Sequence, residues 1–251
     1  MPRYFIEVCY KGTKYAGFQV QQNANSIQAE IEQALGIFFR TPFVLTGSSR
    51  TDAGVHALSN YFHFDSDLIP TNAAVVDRSV YNLNAILPPD IVIKRIFPVD
   101  SDAHCRFDAR SREYRYYIYS AKNPFLADKA FYYPYPLDLE VLNQAATVLL
   151  SYSDFTSFSK RNTQVKSFIC KMTESKWVME ETQLVFIVKS NRFLRGMVKG
   201  LVGTMLRVGS GKVSLAAFEK VIEAKDCSFV DFSVPAHGLF LVNVDYGVAT
   251  Q

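Results

Sequence analysis

Tyr4, Ile6, Val8 and Tyr10 alternate with Arg3, Phe5, Glu7 and Cys9. A period of two predicts a strand with both faces partly covered. Asn25 followed by Gln28 resembles a capping box, and Ile27, Ile31, Ala34 and Leu35 then recur at helical spacing. The stretches FVLTG (43–47) and LSNYFHFD (58–65) predict two further strands flanking a polar loop. Thr71 is placed to cap a helix that runs towards Leu87 and stops at Pro88-Pro89, and DIVIKRIFPV (90–99) closes the series as a strand.

After about residue 105 the same order begins again. REYRYYIYS (112–120) alternates as a strand, Leu139 to Leu150 forms an amphipathic pattern, and KWVM and QLVFIVK predict strands. A long helix is expected from Phe193 to Val208, ending near Gly209, and another from Val213 to Ala224 with Ser214 near its start. GLFLVNVDY (238–246) is a final strand. Two successive strand-helix-strand-strand-helix-strand units predict an α+β architecture of two sheet-and-helix halves with a cleft between them. The division falls as residues 1–104 and 105–251.

Composition narrows the class without choosing a function. Of 251 residues 49% are hydrophobic and 14% aromatic, enough for a core in one large domain or two smaller ones. A formal charge of +3 permits a nucleic-acid partner without arguing for one. Cys9, Cys105, Cys170 and Cys227 are far apart and form no C-x-x-C pair, so they read as reduced, mostly buried thiols of a cytosolic protein. MPRYFIEVCYKG lacks the apolar core of a signal peptide, and no stretch has the roughly 18 apolar residues of a membrane span. The expectation is a soluble, cytoplasmic protein without a membrane partner.

The polar loop SSRTDAGVHAL (48–58) sets Arg50, Asp52 and Gly54 close together. Taken alone, Asp52 fits a plain Asx turn, with Gly54 supplying positive φ. The glycine-rich GTMLRVGSGK fails as a phosphate loop, because Leu206 stands five before Gly211 and Val213 follows Lys212; the glycines read as a helix end. Asp52, His56, His63 and Asp65 offer ligand types for a metal hydrolase. Their spacing is unpersuasive: His56 and His63 are seven apart across a loop-to-strand boundary, and His63 shares a strand face with Tyr61 and Asp65, an ordinary half-exposed position. RFDARSREYRYYIYS interleaves Arg106, Arg110, Arg112 and Arg115 with tyrosines, and NRFLRGMVKG adds Arg192, Arg195 and Lys199. Arginine with aromatic faces suits exposed nucleotides. A solvated strand face over an aromatic core explains the pattern equally well.

The blocks YKGTKYAGFQVQ, SSRTDAGVHAL, NLNAILPPDI, AHCRFDARSREYRY, SDFTSFSK, FLRGMVKGLVGTMLRVGSG and GLFLVNVDY occur in the order and spacing of the tRNA pseudouridine synthase A family. The chain resembles that family over residues 4 to 246. The resemblance implies two ferredoxin-like (RRM-like) halves with mainly antiparallel sheets and a catalytic cleft, working as a homodimer without metal or other cofactor. It implies conversion of uridine to pseudouridine in the anticodon stem-loop of tRNA, at nucleotides 38 to 40. The same resemblance makes Asp52 the nucleophile, Arg50 the arginine that displaces the target base, and Lys199 the cation paired with the catalytic aspartate. Tyr114 matches the tyrosine that stacks on the uracil, and Leu239 the apolar residue on its other side. Arg106, Arg110, Arg192 and Arg195 remain as candidate phosphate contacts from the basic clusters.

The chemistry requires the N1–C1′ bond to break, the base to turn and a C5–C1′ bond to form. A carboxylate can attack C1′, assist removal of the 2′ proton or add to C6. The chain departs from the family pattern at Ser49, where glycine is usual, at Ala103, where Phe is common, and at Gly196 and Gly200, where His and Asn are usual. Lys199 replaces an arginine, keeping the charge and losing the bidentate fork. A tRNA-binding homologue with weak or no turnover is therefore the rival reading.

Overall fold

The computed structural model describes residues 1–70, 72–161 and 165–247. The architecture is mixed α+β with mainly antiparallel strands. Two compact units are present: Met1–Arg110 together with the strand residues from Leu241, and Ser111–Phe240. The chain thus returns to the first unit at its last strand.

In the first unit, β1 (Arg3–Tyr10) lies between β3 (His56–Asp65) and β4 (Ile91–Val99), antiparallel to both. The short β2 (Thr46–Gly47) pairs with β3. Most of the β1 side chains are buried on both faces, as the alternation at both parities predicts. Helix α1 (Ile27–Phe39) turns Ile27, Ile31, Ala34 and Leu35 inward, the four residues picked out by periodicity. Its cap is Ser26, whose hydroxyl accepts from the Ala29 N–H, rather than Asn25. Asn25 is held otherwise: its carbonyl accepts from Ala16 and its amide donates to Glu30 at 2.7 Å.

The FVLTG strand is reduced to its last two residues because α1 takes the backbone of Leu45. Glu32 accepts from the Leu45 N–H at 2.9 Å and the Gln28 amide donates to its carbonyl at 2.9 Å, leaving neither group for a ladder. Helix α2 (Ala73–Ile86) is capped by Asn72, which accepts from Ala74 and Val75. Thr71, the expected cap, lies outside the described residues. The helix ends before Pro88-Pro89, with Leu87 already extended.

In the second unit, β8 (Gln183–Ser190) lies between β5 (Ser111–Tyr119) and β7 (Met172–Glu180), antiparallel to both. A two-residue strand, β6 (Phe131–Tyr132), runs parallel to β5. KWVM lies in the C-terminal half of β7, which begins four residues earlier and ends one residue later. Helix α3 (Leu139–Val148) is capped by Asp138, and α5 (Leu215–Glu223) by Ser214 as expected.

Helix α4 (Met197–Gly209) starts four residues later than periodicity suggests. The reason is Gly196, which adopts φ +72°, a left-handed conformation that interrupts a helix and that a side chain would strain. Its α-carbon also faces the aliphatic stem of Lys160, 3.1 Å from where a Cβ would stand. At the far end Gly209 and Gly211 do close the helix. Along α4, Gly200 and Gly203 let the 230–232 segment approach the helix; a Cβ on Gly200 would come within 2.8 Å of Phe232 and Val230. The core of this unit is built on Trp177, Phe186, Leu142 and Met205, all buried. Strand β9 (Leu239–Asp245) carries the chain out of this unit and into the first.

Candidate active site

The loop between β2 and β3 is held from beneath while its tip faces solvent. Asn60, fully buried on β3, accepts from the Ser49 N–H at 3.2 Å and donates to the Ser49 carbonyl at 2.8 Å. The Asn60 amide also donates to the Tyr10 hydroxyl at 3.1 Å, and that hydroxyl lies 2.8 Å from the Thr51 hydroxyl. Thr51 is further fixed by its carbonyl, which accepts from the Phe18 N–H. The next turn closes when Val55 N–H donates to the Asp52 carbonyl at 3.2 Å, with Gly54 at φ +78°. His56 Nδ1 accepts from the Gly12 N–H, tying the start of β3 to the end of β1.

The alternation buried, exposed, buried, exposed over Ser49, Arg50, Thr51 and Asp52 follows from these anchors. Arg50 and Asp52 face outward on a backbone whose intervening residues are locked inside. Gly47 is needed for this packing, since a Cβ there would strike the Phe18 ring. The plain-turn reading accounts for the backbone of Asp52 but not for the buried network spent on fixing it.

Arg50 also lines a cavity of about 330 Å³ with Gln19, Thr46, His104, Arg106 and Phe107. Arg106 is exposed, its guanidinium 5.8 Å from the Phe107 ring centroid, and Phe107 itself is 74% exposed. Arg110 is exposed and passes close over Gly247, with its backbone N–H given to the Asp245 carbonyl at 2.7 Å.

The ligand set proposed for a metal hydrolase does not assemble. His56 is engaged with Gly12, Asp65 forms a bidentate pair with Arg3 at 2.7 and 2.9 Å, and Asp52 sits on its own loop. His63 is buried rather than half-exposed, because His104 and Cys105 cover it. Burial first, and then the nearby His104 and Arg3, push the His63 imidazole down to about 4. It is neutral at physiological pH.

In the second unit, Tyr114 is central on β5 opposite Val188, 9% exposed, with Phe193 set edge-on to its ring. Leu239 opens β9 and is buried. Arg192 is half-buried and Arg195 exposed, both in the segment preceding α4, and Lys199 is half-buried in its first turn. That turn has no acidic residue and no capping side chain. Cations at a helix N-terminus oppose the macrodipole, which favours anions there by roughly 0.3–1 kcal/mol. The sequence thus gathers positive charge where it costs the isolated helix.

Among the described residues no helix is long and apolar enough to cross a membrane. The family profile described as tRNA pseudouridine synthase matches residues 145–247. Proteins named tRNA pseudouridine synthase A from Bacteroides thetaiotaomicron and Porphyromonas gingivalis are each 45% identical over 249 residues, covering 98% of this chain and 91% and 98% of theirs. One of that name from Staphylococcus aureus is 36% identical over 245 residues, covering 96% of this chain and 91% of its own. The chain belongs to the tRNA pseudouridine synthase A family.

Proposed function

We propose that this protein isomerises uridine to pseudouridine in the anticodon stem-loop of tRNA, at nucleotides 38 to 40, with Asp52 as nucleophile. The observation that carries the reading is the buried Asn60–Tyr10–Thr51 network, which fixes an exposed aspartate and arginine two residues apart. A reacting carboxylate must be positioned and still reachable, and this loop meets both needs.

In this reading Asp52, Arg50, Tyr114, Lys199 and Leu239 act on the target uridine. Arg50 occupies the space vacated by the target uridine, which has to leave the stem to be reached. Tyr114 and Leu239 hold the uracil between an aromatic and an apolar face. Asp52 bonds to C1′ as N1 departs with the N1–C1′ electron pair; the uracil turns, C5 bonds to C1′ and displaces the Asp52 carboxylate, and the C5 hydrogen is lost to solvent while N1 gains a proton. Lys199 balances the carboxylate's charge. Arg106, Arg110, Arg192 and Arg195 contact phosphates. Each unit acts as a ferredoxin-like half; the order β5-β6-α3-β7-β8-α4-α5 in the second unit, alternating strands with helices, supports this reading. The working form is a cytoplasmic homodimer.

Tritium release from tRNA carrying C5-labelled uridine tests the activity, since isomerisation frees that hydrogen and binding does not. Asp52→Asn should leave tRNA affinity and fold unchanged and reduce release to background. Retention of turnover within tenfold, about 1.4 kcal/mol of barrier, overturns the role of Asp52. Binding without release by the wild type favours the inactive homologue.

A further inference from the structure

His63 lies on β3, and His104 and Cys105 lie on the segment that follows β4; in the sequence nothing joins them. In the first unit they form one cluster. The ligand-capable atoms of the three all lie within 4.8 Å of one another. His63 Nδ1 is 3.1 Å from Cys105 Sγ, and the two imidazole rings meet edge to face with centroids 4.6 Å apart. Cys105 has no exposed surface, His63 is buried and His104 is half-buried.

The segment is firmly placed. The Cys105 carbonyl accepts from the hydroxyls of Ser48 at 2.7 Å and Tyr246 at 2.6 Å, and Arg3 donates to the Ala103 carbonyl at 3.0 Å. Ligands fixed by independent bonds give up little freedom on binding. His104 also lines the cavity beside Arg50, which gives an ion an approach to the cluster from that side.

We propose that His63, His104 and Cys105 bind one divalent ion of the zinc class. Two imidazoles and a thiolate are a borderline-soft donor set that suits Zn(II) or Co(II) and disfavours Mg(II) and Ca(II), which take oxygen. Binding releases the Cys105 thiol proton to solvent and ends the contact from its sulfur to the Thr46 carbonyl at 3.1 Å. It also competes with the backbone N–H groups of Cys105 and Arg106, which point at His63 Nδ1 and His104 Nδ1 from 3.4 and 3.1 Å. The bound ion would clamp β3 to the segment bearing Arg106. Asp52 is not a ligand, so the site is separate from the proposed chemistry.

The test is titration of untagged, chelator-stripped protein with Co(II). The expected result is saturation at one equivalent with a thiolate-to-Co(II) charge-transfer band, one proton released per ion, and displacement by Zn(II). His104→Asn, at a half-buried position, should weaken binding by at least about tenfold. Cys105→Ala should abolish the band, with circular dichroism used to check the fold. Binding without a thiolate band, or unchanged affinity in His104→Asn, overturns the proposal. Should Cys105→Ala not fold, the wild-type spectrum and the His104 variant decide the matter alone.

Discussion

The ring of Phe193 meets Tyr114 edge-on, with centroids 5.0 Å apart and planes at 82°. An edge-to-face pair contributes about 0.5–1.5 kcal/mol beyond area burial, and here it fixes the plane of the ring proposed to stack on uracil. Tyr114→Phe should keep tRNA affinity, because the stacking face survives. Tyr114→Leu should lose roughly 1–3 kcal/mol of target engagement. Phe193→Ala should fall between them by freeing the Tyr114 ring. Equal binding of target tRNA by all three variants and wild type, measured by filter retention, would count against a stacking role.

The first strand offers a prediction about acid. Glu7 is 5% exposed on β1, between Lys94 and Arg95, each with nitrogen 2.7 Å from one of its oxygens, and Ser59 donates to it at 2.9 Å. Burial acts to raise its pKa, but the hydrogen bonds from Lys94, Arg95 and Ser59 outweigh it, and the carboxyl is held below its ordinary 4.5. A depressed carboxyl pKa stabilises the fold above the unfolded value, and that stability is lost as pH falls through the native one. Glu7→Gln should therefore cost roughly 1–3 kcal/mol near neutrality, since it breaks charged hydrogen bonds to a buried side chain. As pH falls through the lowered native pKa, the urea midpoints of variant and wild type should converge. A constant gap between them across pH would refute the linkage.

How much of this was legible beforehand depended on range. Alternation and helical spacing gave nearly every long element, because burial of β1, α1 and α5 follows local periodicity. The failures were places where a distant residue claims a local group: Leu45 leaves its strand for Glu32 and Gln28, and α4 waits for Gly196 to turn against Lys160. The blocks of family resemblance pointed to Asp52, Arg50, Tyr114 and Lys199. They contain Tyr10 and Thr51 without giving either a role and stop short of Asn60, and the three look like ordinary strand and loop residues until their side chains meet 41 to 50 positions apart. The His63–Cys105 contact was hidden for the same reason, being separated by 42 positions.

Charge clusters lead to a prediction about salt. The net charge is only +3, yet Arg50, Arg106 and Arg110 are exposed in the first unit and Arg195 in the second. If phosphate contacts hold the tRNA, log affinity should fall linearly with log salt, and each of Arg106→Ala and Arg110→Ala should reduce the slope by about one. Slopes unchanged in both variants would remove these residues from the footprint.

Lys199 stands in the first turn of α4, where a cation is disfavoured by the helix itself. Arg195 stands four residues before it, so two cations lie near that end of the helix. If Lys199 supports the chemistry, deleting its charge should act on turnover more than on binding. Lys199→Met keeps most of the stem and should lower kcat by about a hundredfold, ~2.7 kcal/mol of barrier, with KM nearly unchanged. Lys199→Arg restores the charge and offers two donors in place of a point cation, so most of the turnover should return. Single-turnover measurements with saturating enzyme separate these effects. A loss confined to KM would make Lys199 a phosphate contact, and the same pair of substitutions at Arg195 would then show which cation serves the reacting carboxylate.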